Sequence, residues 1–179
     1  MMLTERQDGL SLPQPDNSRE EFMATIASAT FETGLDNHAA WYGSTAVRDN
    51  ASAHGGSYSL LCTATAAGAG VHLSNYPYFI APSLTTHTFS LWYIEAAGTM
   101  GTISLKVLWY DSSHALLSSD ILSLVRATSW TNYNTTLFSP SGTKYMGLEY
   151  TWTGTGNAWR LDDLSITVPD SPNAWLMLI

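Results

Sequence analysis

Charge is scarce in this sequence. Only 12% of its 179 residues are Asp, Glu, Lys or Arg, where globular chains usually carry about a quarter. Lysine occurs only at Lys106 and Lys144, and the net charge is −8. No basic patch is available to neutralise phosphates, so nucleic acid and anionic membrane surfaces are excluded as partners. Cysteine occurs once, at Cys62. That excludes an intrachain disulfide and a cysteine zinc site, and a lone cysteine is expected as a buried small hydrophobe. The histidines His38, His54, His72, His87 and His114 are scattered, and none pair at helical spacing. No apolar run approaches the ~20 residues of a membrane span. No basic region followed by an apolar run opens the chain, so synthesis without a secretory leader is expected. There is no repeat of about 20–50 residues, no nucleophile elbow and no phosphate loop. Asp162 and Asp163 are adjacent and should face opposite sides of a strand. They cannot stand as paired glycosidase carboxylates, which flank one bond about 5–9 Å apart. The expectation is a non-enzyme.

What the chain does contain is alternation. Phe89, Leu91 and Tyr93 should share one strand face, with Trp92 and Ile94 opposite. Ile103, Leu105, Val107 and Trp109 alternate with Ser104, Lys106, Leu108 and Tyr110. Tyr58, Leu60 and Cys62 repeat the pattern. Further strands are expected at 41–47, 70–74, 116–124, 133–138, 144–152 and 158–168. Gly, Asn, Ser and Pro punctuate them at roughly 8–15-residue spacing, as in a sandwich or barrel. The fold class is all-β, an antiparallel two-sheet sandwich of jelly-roll type. Residues 1–28 read as an N-terminal arm, with a short helix over Ser18–Ala27 capped by Ser18 and Glu21. Residues 29–168 form the sandwich. Residues 169–179 form a tail ending in Trp175, Leu176, Met177, Leu178 and Ile179, which is expected to contact the domain or another subunit.

Several landmarks occur in a recognisable order. They are Phe31-Glu32-Thr33-Gly34 followed by Trp41, then His54-Gly55-Gly56-Ser57-Tyr58-Ser59-Leu60, then Thr88-Phe89-Ser90-Leu91-Trp92-Tyr93. Trp130, Pro140-Ser141-Gly142-Thr143-Lys144-Tyr145 and Leu161-Asp162-Asp163-Leu164 complete the series. In this order they resemble the jelly-roll carbohydrate-binding modules associated with cellulases and xylanases, over about residues 29–168. The resemblance implies one structural calcium, held by Glu32 and Asp162 with backbone carbonyls near Gly56 and Ser57. Calcium takes six to eight oxygens. Asp162 shares a strand face with Leu164, Ile166 and Val168, so it should point inward. A buried carboxylate needs a partner, either a cation or backbone donors, or else Arg160 or Arg48.

A glycan platform needs exposed aromatic rings beside polar side chains. Trp41, Tyr42, Tyr76, Tyr78, Tyr110 and Trp152 are the candidates. Pro77 stiffens the backbone between Tyr76 and Tyr78. Trp92, Trp109 and Trp130 are expected in the core. Two functions follow. The first is a structural protein of a particle surface, a bacteriophage decoration, cement or tail protein. Its low charge and two tails would suit self-association, as a trimer for instance, and contacts with other virion proteins. The second is a glycan-binding module that recognises a polysaccharide by aromatic stacking. The discriminating feature is a row of outward rings on one sheet face.

Overall fold

The computed structural model describes residues 23–41, 43–66, 79–98, 102–152 and 156–169, with the backbone alone at 70–73. In chain order the strands are β1 (Met23–Ala29), β2 (His38–Trp41), β3 (Ser44–Asp49), β4 (Ser59–Ala64), β5 (Gly70–Leu73) and β6 (Phe79–Ile80). They continue with β7 (Thr86–Ala97), β8 (Ile103–Tyr110), β9 (Leu116–Leu124), β10 (Thr131–Phe138), β11 (Tyr145–Thr151) and β12 (Ala158–Pro169). The described residues contain no helix.

Two six-stranded antiparallel sheets make a jelly-roll sandwich. One has the order β10-β7-β12-β4-β3, with β1 added beside β12, and is called the β7 sheet here. The other has the order β2-β5-β11-β8-β9, with β6 added beside β11, and is called the β8 sheet. Alternating residues point to opposite faces of a strand, and the expected alternation is what fills the space between the sheets. Phe89, Leu91 and Tyr93 on β7 meet Ile103, Leu105, Val107 and Trp109 on β8 and Met146, Leu148 and Tyr150 on β11, all buried. Cys62 is buried in the same core.

On β12 the alternation changes phase. Trp159 and Leu161 are buried, and then Leu164, Ile166 and Val168. Asp162 pairs with Trp92 while Ser165 pairs with Ser90, so β12 carries one residue more than β7. This is a β-bulge. Asp163 adopts the left-handed conformation there, with φ 45°.

Three local expectations are corrected. The helix over Ser18–Ala27 is not formed at Met23–Ala27, which belong to β1 and pair with β12. Pairing along the free margin of β12 outweighs a weak local helix signal. The Phe31–Gly34 segment, which the resemblance implies is the first strand, is a turn. Asp36 Oδ2 accepts the N–H groups of Thr30 and Phe31 at 2.9 and 2.7 Å, which bends the chain there. The single strand expected over 41–47 is two strands in different sheets. Gly43, at φ 65°, turns the chain between them, and an added Cβ would stand 2.8 Å from the Ala66 Cβ. The tail residues Trp175, Leu176, Met177, Leu178 and Ile179 lie outside the described residues, as do residues 1–22.

Candidate functional site

Two regions collect the polar and aromatic groups singled out above. The first surrounds the turn at residues 52–58, between β3 and β4. Glu32 Oε1 accepts the N–H groups of Ser57 and Tyr58 at 2.9 and 3.0 Å. Asp162 Oδ2 accepts those of His54 and Gly55 at 2.8 and 3.1 Å, and Asp162 Oδ1 that of Asp163 at 2.8 Å. Both carboxylates therefore reach the turn that the resemblance named. Gly56 has φ 62° and passes so close to Glu32 that no side chain fits. Arg48 anchors the other flank by donating to the carbonyls of Phe31 (2.6 Å) and Glu32, with its guanidinium over the Tyr58 ring.

Asp162 has no exposed surface. Burial pushes its carboxyl above the usual range, and the amides of Gly55, His54 and Asp163 pull the other way. Asp163 departs from the alternation argument. The bulge swings it to the same turn, where its Oδ2 stands 2.7 Å from His54 Nδ1. The His54 ring stacks on Trp92, with centroids 3.7 Å apart and planes 11° apart. Trp130 meets His54 edge-on at 6.0 Å, and its Nε1 donates to Ser52 Oγ at 3.2 Å. Trp92 and Trp130, expected in the core, are half-buried and clamp this turn from outside.

A calcium cage takes oxygen ligands. Here the inward carboxylate oxygens face N–H groups, and at Ser57 it is the amide that faces Glu32. Among the described residues no group of three or more His, Cys, Asp or Glu side chains is placed to hold a metal ion. This donor set does not fit a calcium ion, and backbone amides meet the charge of Asp162 instead.

The second region is the outer face of the β8 sheet. Tyr110 and Tyr145 are register partners on β8 and β11. Partners share a face, and their chain neighbours Trp109 and Met146 fill the core, so both tyrosines point outward. Both are half-buried. Two residues along, Gly147 opposes Leu108, and then Glu149 opposes Lys106 with Oε2 and Nζ 3.9 Å apart. Gly147 and its partner Leu108, both buried, lie between the two pairs. From Tyr145 to Glu149 the strand runs roughly 13 Å. His114, from the β8–β9 turn, stacks on Tyr145 with centroids 4.4 Å apart and planes 14° apart. Glu95 lies in the other sheet and is held by Arg126 at 2.6 Å, so it makes no pair with Glu149.

Of the expected platform residues, Tyr110 is on this face and Trp41 lies at the end of β2 in the same sheet, 47% exposed. Trp152 is corrected: it is 2% exposed and packs edge-on against Trp159 at 5.6 Å, so it offers no ring face to a ligand. It continues the inward phase of Tyr150 beyond the end of β11. Tyr42, Tyr76 and Tyr78 lie outside the described residues. Sequence reasoning missed Tyr145, His114, Glu149 and Lys106 as neighbours. The signal available was the alternation of 144–152, which places Tyr145 and Glu149 on the face opposite Leu148.

No protein-family model and no curated protein matches the sequence. Solved structures do. The CBM22-1 xylan-binding domain from Paenibacillus barcinonensis Xyn10C superposes with a TM-score of 0.68 at 19% identity, covering 86% of this chain and 99% of that one. The C-terminal family 22 carbohydrate-binding module of Clostridium thermocellum Xyn10B gives 0.62 at 19%, covering 81% and 93%. The enzymatically active domain of bacteriophage CBA120 tailspike protein 4 gives 0.60 at 11%, covering 80% of this chain and 21% of that one. The fold is a jelly roll of the carbohydrate-binding-module type.

Proposed function

We propose that this chain is a non-catalytic glycan-binding module that takes a neutral polysaccharide of the xylan class on the outer face of the β8 sheet. The observation that carries this reading is the outward cross-strand pair Tyr110–Tyr145, set four residues along each strand from the facing pair Lys106–Glu149. Apolar faces of sugar rings stack on aromatic rings, and a charged pair at half exposure supplies donors and acceptors for hydroxyls. The few other charges on the chain leave this recognition to stacking and hydrogen bonding. Xylan enters as the ligand class because the family 22 neighbours share the fold and one of them is described as a xylan-binding domain. The particle-surface reading has one support among the comparisons, the tailspike domain, and that likeness concerns the fold alone. The glycan reading draws on the fold and on the site, and is the one adopted.

The test is titration with xylohexaose by calorimetry, alongside retention on insoluble xylan. The wild-type chain should bind, and Tyr110→Ala should bind about tenfold more weakly, the scale of one lost aromatic contact, with its melting midpoint little changed. Absence of binding by the wild type, or an undiminished Tyr110→Ala, would sink the reading.

A further inference from the structure

His114 is backbone-strained without a core role. Its φ is 63°, in the left-handed region that Gly takes freely and that Asn, Asp and His adopt more often than other residues, though at a cost. Its chain neighbours Ser112, Ser113 and Ala115 are exposed, while His114 itself is half-buried with its Nε2 shielded from solvent. The turn is nevertheless tightly built. Asp111 Oδ1 accepts the Ser113 N–H at 2.8 Å, the Ser113 hydroxyl at 2.7 Å and the Ala115 N–H at 2.9 Å. The backbone closes it twice more, with the His114 N–H donating to Asp111 O at 3.1 Å and the Asp111 N–H to Ala115 O at 3.0 Å. The Ser113 hydroxyl first, and then the Ala115 amide, hold the Asp111 carboxyl below its usual range. What this construction delivers is one imidazole laid flat on Tyr145. Strain that the surroundings over-determine is a pointer to function.

We propose that His114 is a specificity-determining residue of the glycan site, a wall that covers one face of Tyr145, fixes that ring and closes the platform at the β8–β9 turn. The sugar chain then meets the Tyr145 ring from one side only. This inference rests on the glycan reading above, and its ligand class is the same neutral xylan chain.

Three variants test it, each titrated with xylohexaose and melted in parallel. His114→Gly and His114→Asn suit the turn conformation and remove the ring. They should melt no lower than the wild type, yet bind about five- to tenfold more weakly. His114→Tyr restores a ring and should bind within about twofold of the wild type. Wild-type affinity in His114→Gly, with Tyr110→Ala still impaired, would overturn this proposal and leave the glycan reading standing. Weaker binding that accompanies a lower melting midpoint and is not restored by His114→Tyr would also overturn it, since His114 would then only hold the turn. No xylohexaose binding by the wild type would bring down both.

Discussion

On the outer face of the β7 sheet, Thr136, Thr88, Thr167 and Thr25 follow one another across four strands, and Asn134, Ser90, Ser165 and Ser28 form the next row. On the outer face of the β8 sheet the corresponding positions carry Tyr110 and Tyr145, then Lys106 and Glu149. The inner faces of the two sheets are alike, both apolar and both buried. The Thr and Ser rows show what a sheet of this protein needs on its outside in order to fold, which is small polar residues that tolerate a pleated surface. Tyrosines in the same structural position on the other sheet exceed that need. Two large rings flank those rows, Trp92, which is covered by His54, and Phe138, which is 62% exposed at the end of β10. Under the proposed function the β8 face is the working surface and the β7 face, with its carboxylate-held turn, is scaffold.

Perturbing Asp162 is the largest way to sharpen this division. Asp162→Ala removes the acceptor of three backbone N–H groups, and buried donors without partners are costly. The expected loss is about 3 kcal/mol of unfolding free energy, measured by the urea midpoint. Xylohexaose affinity below the unfolding transition should be unchanged, the opposite of Tyr110→Ala. A stable Asp162→Ala variant, or one that loses affinity while folded, would blur the two roles.

A smaller effect is expected from pH. His87 is buried on the inner face of β7, with its Nδ1 on the Thr85 carbonyl at 3.0 Å and its ring against Trp109. Burial lowers its pKa from 6.5, and the Thr85 bond acts in the other direction. The unfolded chain therefore protonates His87 first. Its contribution to stability is complete above about 6.5 and is lost as pH falls towards the lowered folded value. Asp162 has the opposite sign: its folded pKa lies above 3.8, so protonation favours the fold in the window from 3.8 upward. The melting midpoint should fall as pH drops from 7 to 5, by less in His87→Phe. A flat profile in the wild type would show that His87 does not control this range. The smallest expected effect is from chelation. EDTA should leave the melting midpoint unchanged, because backbone amides already meet the carboxylates. A clear drop, restored by added calcium, would reinstate the cation that the resemblance implies.

Much of the scaffold was legible beforehand. The alternation of Phe89, Leu91 and Tyr93 and of Ile103 to Trp109 assigned the inner faces correctly. Pairing periodicity is local, and burial enforces it. The meeting of Glu32 with the 56–58 turn, and of Asp162 with the 54–55 turn, followed from the resemblance. Their partners did not, since whether a carboxylate meets amides or a cation depends on which backbone atoms turn towards it. Of the outward pair Tyr110–Tyr145, Tyr110 was singled out from the sequence and Tyr145 was not. Trp152 was misplaced because an aromatic near a loop reads the same whether it points in or out.

The sequence alone determined the class: a charge-poor, cysteine-poor chain with period-two hydrophobicity buries its apolar positions between stacked sheets. Tertiary structure decided the rest. One extra residue in β12 reversed its phase and brought Asp163 to His54, and strand register, not sequence spacing, set Tyr145 beside Tyr110 and Glu149 beside Lys106. Register is a property of pairs of strands distant in sequence, so no local pattern contains it.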